Sequence, residues 1–366
     1  MSNSRILVAI LLAAFLATPA SRADPVPMPE QGLTPYLTPQ RVAHIEKGRT
    51  INFVCLGQGS PTVILSAGLD AWSWWWWGVQ GPLSKQTRVC GWDRAGYGFS
   101  SPSPEPQDIV HTTQDLERAL KKARIQGPYV MVGHSMGAYE SLRFTDLHRQ
   151  SVIGMVLVDP DLPDRAAVDE RVAPQFAAVS RIYQDLIVKQ RQDCAAELRS
   201  GTLKSGTAQF ERCTATSVPA LFPDLQVAIA QLNADPARLL TQASLEAEHA
   251  NSGRQVLNAQ RNYGDMPLVV LTAGRNEAST LASLSHLPPG TAGAGTPEEL
   301  EQLRVQIARF LRDGWVPAHE AYAALSTRGR DQIVPDSTHN MTVEKPDVVI
   351  SAINEVINAN KQRVRK

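Results

Sequence analysis

The chain has 366 residues, with 36 basic and 36 acidic side chains and therefore no formal net charge. It has no basic block, no zinc-ligand spacing and no interleaving of aromatic and basic residues, so the sequence predicts no nucleic-acid partner, metal or cofactor. A hydrophobic fraction of 43% is ordinary for a globular protein, and the length predicts one domain with an insertion.

The first 23 residues are typical of a signal peptide. Arg5 precedes an apolar run of 12 residues, and small residues then fit cleavage after Ala23, with cleavage after Ala20 as the alternative. The run is shorter than the roughly 20 residues of a membrane-spanning helix, so we expect export without stable membrane insertion rather than an uncleaved anchor. Periplasmic and secreted destinations stay open. The Pro-rich, polar residues 24–40 predict a linker.

Short apolar strands alternate with helical spacing in the first half of the chain. Strands are predicted at 42–46, 50–56, 62–66, 88–92, 129–132 and 152–158, and a helix at 108–123. The last strand is continuously apolar, which is typical of burial on both faces of a sheet. Residues 41–159 therefore predict the first part of an α/β core.

The alternation stops after residue 159. Residues 160–262 are rich in Ala, Gln, Arg and Leu in largely helical patterns, which predicts an inserted helical cap. A strand at 268–272, a helix beginning at Thr296, a strand near 332–334 and a helix from about Pro346 follow. Residues 263–366 therefore predict the second part of the core.

The most informative segment is Gly-His-Ser-Met-Gly at 133–137, a G-x-S-x-G sequence. It lies between a predicted strand and a helix-compatible stretch at 138–147, which is the context of a nucleophile elbow. The turn strains the backbone of Ser135, and Gly133 and Gly137 remove side chains that would collide with it. Ser135 is therefore the candidate nucleophile.

A Ser hydroxyl needs a general base, and the base needs an orienting acid. In α/β folds such groups lie at the carboxyl ends of the strands. His339 follows the last predicted strand by a few residues and comes late in the chain, so it is the candidate base. His134 adjoins the nucleophile and is expected to point elsewhere.

These segments together resemble the α/β-hydrolase-fold serine hydrolases. The resemblance rests, in order, on Val-Ile-Leu-Ser-Ala-Gly at 63–68, Trp-Asp-Arg-Ala-Gly-Tyr-Gly-Phe-Ser at 92–100, the elbow at 133–137, Val-Leu-Val-Asp at 156–159 and Ser-Thr-His at 337–339. They span almost all of the chain after the linker. The resemblance implies a mostly parallel, eight-stranded α/β-hydrolase sheet flanked by helices, with the helical cap inserted.

The resemblance leaves two candidates for the acid. In most of the family the acid follows the strand after the cap, where this chain has Glu277 and no Asp. In a minority, similar to some haloalkane dehalogenases and pancreatic-type lipases, it ends the strand after the elbow helix, where Asp159 lies 24 residues beyond Ser135. We favour Asp159, whose alternative role is to cap the turn at Pro160, and keep Glu277 as the alternative acid.

The fold implies two backbone N–H donors for a tetrahedral intermediate. One belongs to the residue after the nucleophile, Met136, and the other to the loop after the third strand, here Leu69. The family often has His-Gly before the second donor, whereas this chain has Ala67-Gly68. That departure concerns the support of the loop and not the donor, which is backbone.

Five Trp follow within residues 72–77. Trp76 matches a common core aromatic of this segment. Trp72 and Trp74 are candidates for lining the substrate pocket, with packing between cap and core as the alternative. Asp93 and Arg94, after the fourth strand, are expected to be structural.

Export permits disulfides, and four Cys allow three pairings. Cys194 and Cys213 are close in sequence within the predicted cap. The strand order of the family would place the strand of Cys55 beside that of Cys90. We therefore expect bonds between Cys55 and Cys90 and between Cys194 and Cys213.

The sequence thus predicts a serine hydrolase that cleaves a carboxylic ester, or a related acyl bond, of a small molecule through a Ser-His-Asp triad and an acyl-enzyme. A Ser at the elbow argues against the dehalogenase and epoxide-hydrolase branches, which use a carboxylate there. An amidase, a peptidase or a carbon–carbon bond hydrolase is the alternative within the fold. A non-catalytic ligand-binding protein is the alternative of another class. Substrate identity and oligomeric state stay open.

Overall fold

The computed structural model describes residues 33–46, 48–215, 222–284 and 297–364. The predicted signal peptide and most of the predicted linker lie outside the described residues. The end of the linker packs on the core, because Tyr36 is buried and its hydroxyl donates to Oε1 of Gln80 at 2.8 Å. Across the described ranges, no helix combines the length and apolar character needed to cross a membrane.

Eight strands form one sheet in the order β1-β2-β4-β3-β5-β6-β7-β8. β2 is antiparallel to β1 and β4, and every other neighbouring pair is parallel. The strands are β1 Arg41–Glu46, β2 Arg49–Leu56, β3 Thr62–Ser66, β4 Arg88–Trp92, β5 Tyr129–His134, β6 Val152–Val158, β7 Leu268–Ala273 and β8 Gly329–Val334. This is the mostly parallel sheet that the sequence predicts.

The helices of the described residues flank this sheet and fill the segment between β6 and β7. The α-helices are α1 Trp77–Ser84, α2 Ile109–Lys122, α3 Gly137–Leu147, α4 Arg165–Val172, α5 Pro174–Ser200, α6 Ala208–Thr214, α7 Pro223–Asn233, α8 Pro236–Ala247, α9 His249–Gln255, α10 Glu277–Leu284, α11 Pro297–Phe310, α12 Val316–Ala323, α13 Met341–Glu344 and α14 Pro346–Val364. A π-helical turn, Leu311–Trp315, joins α11 to α12. Helices α4 to α9 lie within residues 160–262, here called the cap segment.

Both faces of the sheet are covered. Side chains of α2, α3 and α12 form one apolar cluster with one face, and side chains of α1 and α14 form a second cluster with the other. Strands β3 and β7, which each have a neighbour on both sides, are buried along their whole length, which explains their largely apolar sequences. The carboxyl ends of the parallel strands therefore form one edge at which functional side chains can gather.

Two disulfides cross-link the chain, in the pairing that the sequence predicts. Cys55 and Cys90 face each other on the antiparallel strands β2 and β4, with 4.1 Å between their Cα atoms. Cys194 and Cys213 join α5 to α6 in the cap segment, with a Cα–Cα distance of 5.4 Å. Closing a loop of this second size contributes about 3 kcal/mol by the chain-entropy estimate.

Candidate active site

Ser135 occupies a sharp turn between β5 and α3. Its φ of +52° lies in the left-handed region that non-Gly residues rarely adopt. A Cβ on Gly133 would lie 2.4 Å from the Gly137 carbonyl oxygen, and one on Gly137 would lie 2.2 Å from that of Ser66. Only glycines fit at both positions, so the geometry is that of a nucleophile elbow.

Asp159 and His339 meet at the carboxyl edge of the sheet. Asp159 directly follows β6, His339 follows β8, and Nδ1 of His339 lies 2.6 Å from Oδ2 of Asp159. The Asp159 side chain is fully buried, whereas that of His339 is 36% exposed and can reach a substrate. The alternative acid, Glu277, is exposed at the first residue of α10.

The surroundings of Asp159 keep its carboxylate ionised. Burial alone would raise the pKa of Asp159, but the charge of Arg275 and the hydrogen bond from His339 outweigh burial and hold that pKa well below its usual range. An ionised carboxylate can only accept hydrogen bonds, so Nδ1 of His339 must donate to it. A neutral His339 then presents an unprotonated Nε2, the form needed in a general base.

The loop at 67–71 passes directly over the elbow. A Cβ on Gly68 would lie 3.2 Å from Cβ of Ser135. The loop that carries Leu69 therefore lies close to the turn that carries Met136. Arg94 anchors this loop, since its guanidinium donates to the carbonyl oxygens of Ala67 and Gly68. The structural role expected for Arg94 is therefore support of the segment that carries the predicted donor Leu69.

A family model described as alpha/beta hydrolase fold matches residues 61–289. The chain belongs to this family. Among curated proteins, the uncharacterised protein YqjL of Bacillus subtilis is 32% identical over 111 residues, which cover 30% of this chain and 44% of YqjL. The alignments with the first curated relatives cover only 14% to 44% of those proteins.

Solved structures of the same architecture cover nearly the whole chain. One is a membrane phospholipase A described as a bacterial virulence factor, with 16% identity, a TM-score of 0.56 and coverage of 88% of this chain and 87% of that one. Another is the enol-lactonase of Burkholderia xenovorans LB400, with 15% identity, a TM-score of 0.51 and coverage of 86% and 99%. At these identities the likeness concerns the fold.

His134 contacts the backbone of the candidate base His339. Its Nε2 lies 2.7 Å from the backbone oxygen of His339, and its ring stacks on Trp75 with 5.9 Å between centroids. Burial, helped by the neighbouring His339, lowers the pKa of His134 to about 3, so the ring is neutral and donates from Nε2. The sequence predicts only that His134 points away from the nucleophile and gives no sign of this contact.

Trp72 and Trp74 lie in different environments. Trp72 lines a cavity of about 60 Å³ between the core and the cap segment, together with Asp70, Tyr97 and Arg191. Trp74 is fully buried, and its ring meets that of Phe222 edge-on at 6.2 Å. Trp74 thus packs between the core and the cap segment, and a place for it in a substrate pocket stays a prediction.

Trp76 belongs to the apolar core on one face of the sheet. Trp76 is fully buried in the cluster that α1 and α14 form with the sheet, as expected of a core aromatic. Within the described part of the α/β hydrolase, no group of three or more His, Cys, Asp or Glu side chains is placed to bind a metal ion.

Proposed function

We propose that this α/β hydrolase is a serine hydrolase that cleaves carboxylic esters through an acyl-enzyme. Ser135 is the nucleophile, His339 the general base and Asp159 the orienting acid. The observation that carries the proposal is the 2.6 Å contact between His339 Nδ1 and the buried Asp159 carboxylate, at the same sheet edge as the strained Ser135 elbow. The strained turn presents the Ser135 hydroxyl, and the buried Asp159 carboxylate orients His339.

The reaction proceeds in two halves. Oγ of Ser135 attacks the ester carbonyl carbon while Nε2 of His339 takes the hydroxyl proton, and the backbone N–H groups of Met136 and Leu69 stabilise the oxyanion. Collapse of this intermediate breaks the ester C–O bond, and the leaving alcohol takes the proton from His339. A water molecule, deprotonated by His339, then attacks the carbonyl carbon of the acyl-serine. Collapse of this second intermediate breaks the bond between the acyl carbon and Oγ, His339 returns the proton to Oγ of Ser135, and the carboxylic acid leaves.

Two considerations favour an ester over other substrates of this fold. A hydroxyl at the elbow supports acyl transfer, whereas epoxide and haloalkane hydrolysis in this fold use a carboxylate there. Two solved structures with the fold are named a phospholipase and an enol-lactonase, names that denote ester hydrolysis.

We also propose that the protein acts in the periplasm or outside the cell. The two disulfides are typical of an oxidising compartment. The predicted signal peptide supports the same location.

The test combines a covalent probe with a substrate panel. We expect a fluorophosphonate to label Ser135, located by peptide mass spectrometry, and p-nitrophenyl esters of different chain lengths to be cleaved. Ser135→Ala should abolish both signals, and the matched control Ser84→Ala, whose hydroxyl donates to the Gly81 carbonyl oxygen on α1, should keep both. Absence of labelling would indicate a ligand-binding protein. Labelling with turnover of anilides but not esters would indicate an amidase.

A further inference from the structure

Trp315 reaches the candidate acid from a distant part of the chain. It ends the π-helical turn Leu311–Trp315, where α11 changes direction into α12. Such turns place an extra residue in a helix, reorient the side chains that follow and are frequent at functional sites. Here the turn directs a buried indole to the sheet edge, where Nε1 donates to Oδ1 of Asp159 at 3.0 Å.

The two oxygens of the Asp159 carboxylate have different partners. Oδ1 accepts from the backbone N–H of Ala273 at 2.9 Å and from Trp315. Oδ2 faces His339, and Nη2 of Arg275 lies 3.9 Å away from it. Two N–H donors on Oδ1 resist rotation of the carboxylate, so Oδ2 stays directed at the imidazole.

Two cations contact the indole ring of Trp315. The guanidinium carbon of Arg275 lies 4.0 Å from the ring centroid of Trp315, and that of Arg165 lies 5.4 Å away. Cation–π contacts of this kind are strongest where water is excluded, as at this buried ring. Trp315 and Arg275 thus hold each other while each also approaches the carboxylate.

We infer that Trp315 is a positioning residue for the candidate triad: its indole N–H fixes the Asp159 carboxylate so that Oδ2 orients His339. The inference rests on the proposed function. A competing account is packing alone, because Trp315 also belongs to an apolar cluster with Phe176 and Phe310. If Trp315 only packs, its replacement lowers stability, and any loss of kcat does not depend on the Asp159 carboxylate. If Trp315 positions Asp159, the loss of kcat requires that carboxylate.

The test removes the indole N–H in two backgrounds. Trp315→Phe should lower kcat for a p-nitrophenyl ester by about tenfold, as expected for a hydrogen bond to a charged group, with KM changed less than about twofold. In the Asp159→Asn background the same change should cost less than about twofold, because the carboxylate it serves is gone. The matched control Trp76→Phe changes a buried core indole with no hydrogen-bond partner and should leave kcat unchanged.

An isosteric replacement keeps the test valid if Trp315→Phe does not fold. Trp315→benzothienylalanine replaces only the N–H by sulfur and should give the same loss of about tenfold in kcat. Equal losses in both backgrounds, or no loss with Asp159 present, would overturn the inference. Retained turnover in Ser135→Ala would instead defeat the proposed function, so the two failures are distinguishable.

Discussion

The two sides of the candidate site are built on different principles. On the nucleophile side, close contacts with backbone atoms shape the Ser135 elbow, so that added methyl groups at Gly133 or Gly137 have no room. On the acid side, Asp159 is held by an amide, an indole and an imidazole from three separate parts of the chain. Steric fit shapes the elbow, with Arg94 anchoring the 67–71 loop beside it, whereas hydrogen bonds from distant segments hold the candidate acid.

The difference extends to the buried charges. On the nucleophile side, Arg94 pairs with Glu140 of α3 at 2.6 Å, and both side chains are almost fully buried. This pair ties the loop to the elbow helix and makes no contact with the base in the described structure. On the acid side, the charge of Arg275 acts on the candidate acid itself. We therefore expect loss of the Arg94–Glu140 pair to affect folding as well as chemistry, and changes at Asp159 to affect mainly chemistry.

The largest effect should come from the nucleophile. Ser135→Ala removes the attacking oxygen, so kcat for a p-nitrophenyl ester should fall by about 10⁵-fold or more. The free energy of unfolding should not fall, because Ala has to adopt the same left-handed backbone conformation as Ser in this turn. Steady-state kinetics and urea unfolding measure both quantities. Near-normal turnover would contradict the assignment of Ser135.

The acid side gives the next largest effect and separates the two carboxylates. Asp159→Asn should lower kcat by around 10³-fold to 10⁴-fold, because an amide favours the wrong imidazole tautomer. Glu277→Gln is the matched control, since it makes the same chemical change on an exposed residue and should cost less than about tenfold. The reverse ranking, in folded variants assayed on one ester, would move the acid to Glu277.

This division also explains what the sequence could predict. Steric fit leaves glycines at fixed spacing, so the elbow and the strands around it were predictable, and β3 and β6 begin and end at the predicted residues. Hydrogen bonds over long distances leave no local pattern. Trp315 lies 156 residues from Asp159 in sequence, and neither α12 nor the π-helical turn is predicted. The available signal was a lone Trp in a polar segment far from the 72–77 group.

The third prediction concerns the buried pair on the nucleophile side. Glu140→Gln leaves the Arg94 guanidinium buried without its anion, so the free energy of unfolding should fall by about 4 kcal/mol. The kcat should fall by roughly tenfold as the 67–71 loop loosens. Urea unfolding and ester kinetics on the same sample test both.

The matched control for that pair is Glu355→Gln. It breaks the exposed Arg330–Glu355 ion pair and should cost less than about 1 kcal/mol, because water screens that pair. Equal losses in the free energy of unfolding for Glu140→Gln and Glu355→Gln would contradict the prediction that burial makes the Arg94–Glu140 pair the costlier one to break.

Charged groups of the cap segment lie against both sides of the candidate site. Arg191 of α5 contacts Asp70, next to the predicted donor Leu69, and lies 3.6 Å from Glu246 of α8. Nε2 of His249 lies 2.7 Å from Asp161, two residues beyond the candidate acid. Titration of Glu246 and His249 should therefore change stability without removing any part of the candidate triad.

The smallest predicted effect is a pH dependence of stability that comes from Glu246. Burial, helped by Asp70, raises the pKa of Glu246 to about 7 although Arg191 opposes the shift. A carboxyl with a raised folded pKa stabilises the fold below its unfolded pKa of about 4.3, and this contribution is lost as pH rises towards 7. Between pH 5 and pH 8 the loss should be roughly 2 to 3 kcal/mol.

Glu246→Gln should remove this decline in stability, whereas Glu320→Gln, at an exposed position on α12, should not. The raised pKa of His249 acts in the same direction, so a smaller decline should persist in Glu246→Gln. Urea unfolding at each pH measures the difference, and identical declines in the wild type and Glu246→Gln would exclude Glu246 as its source.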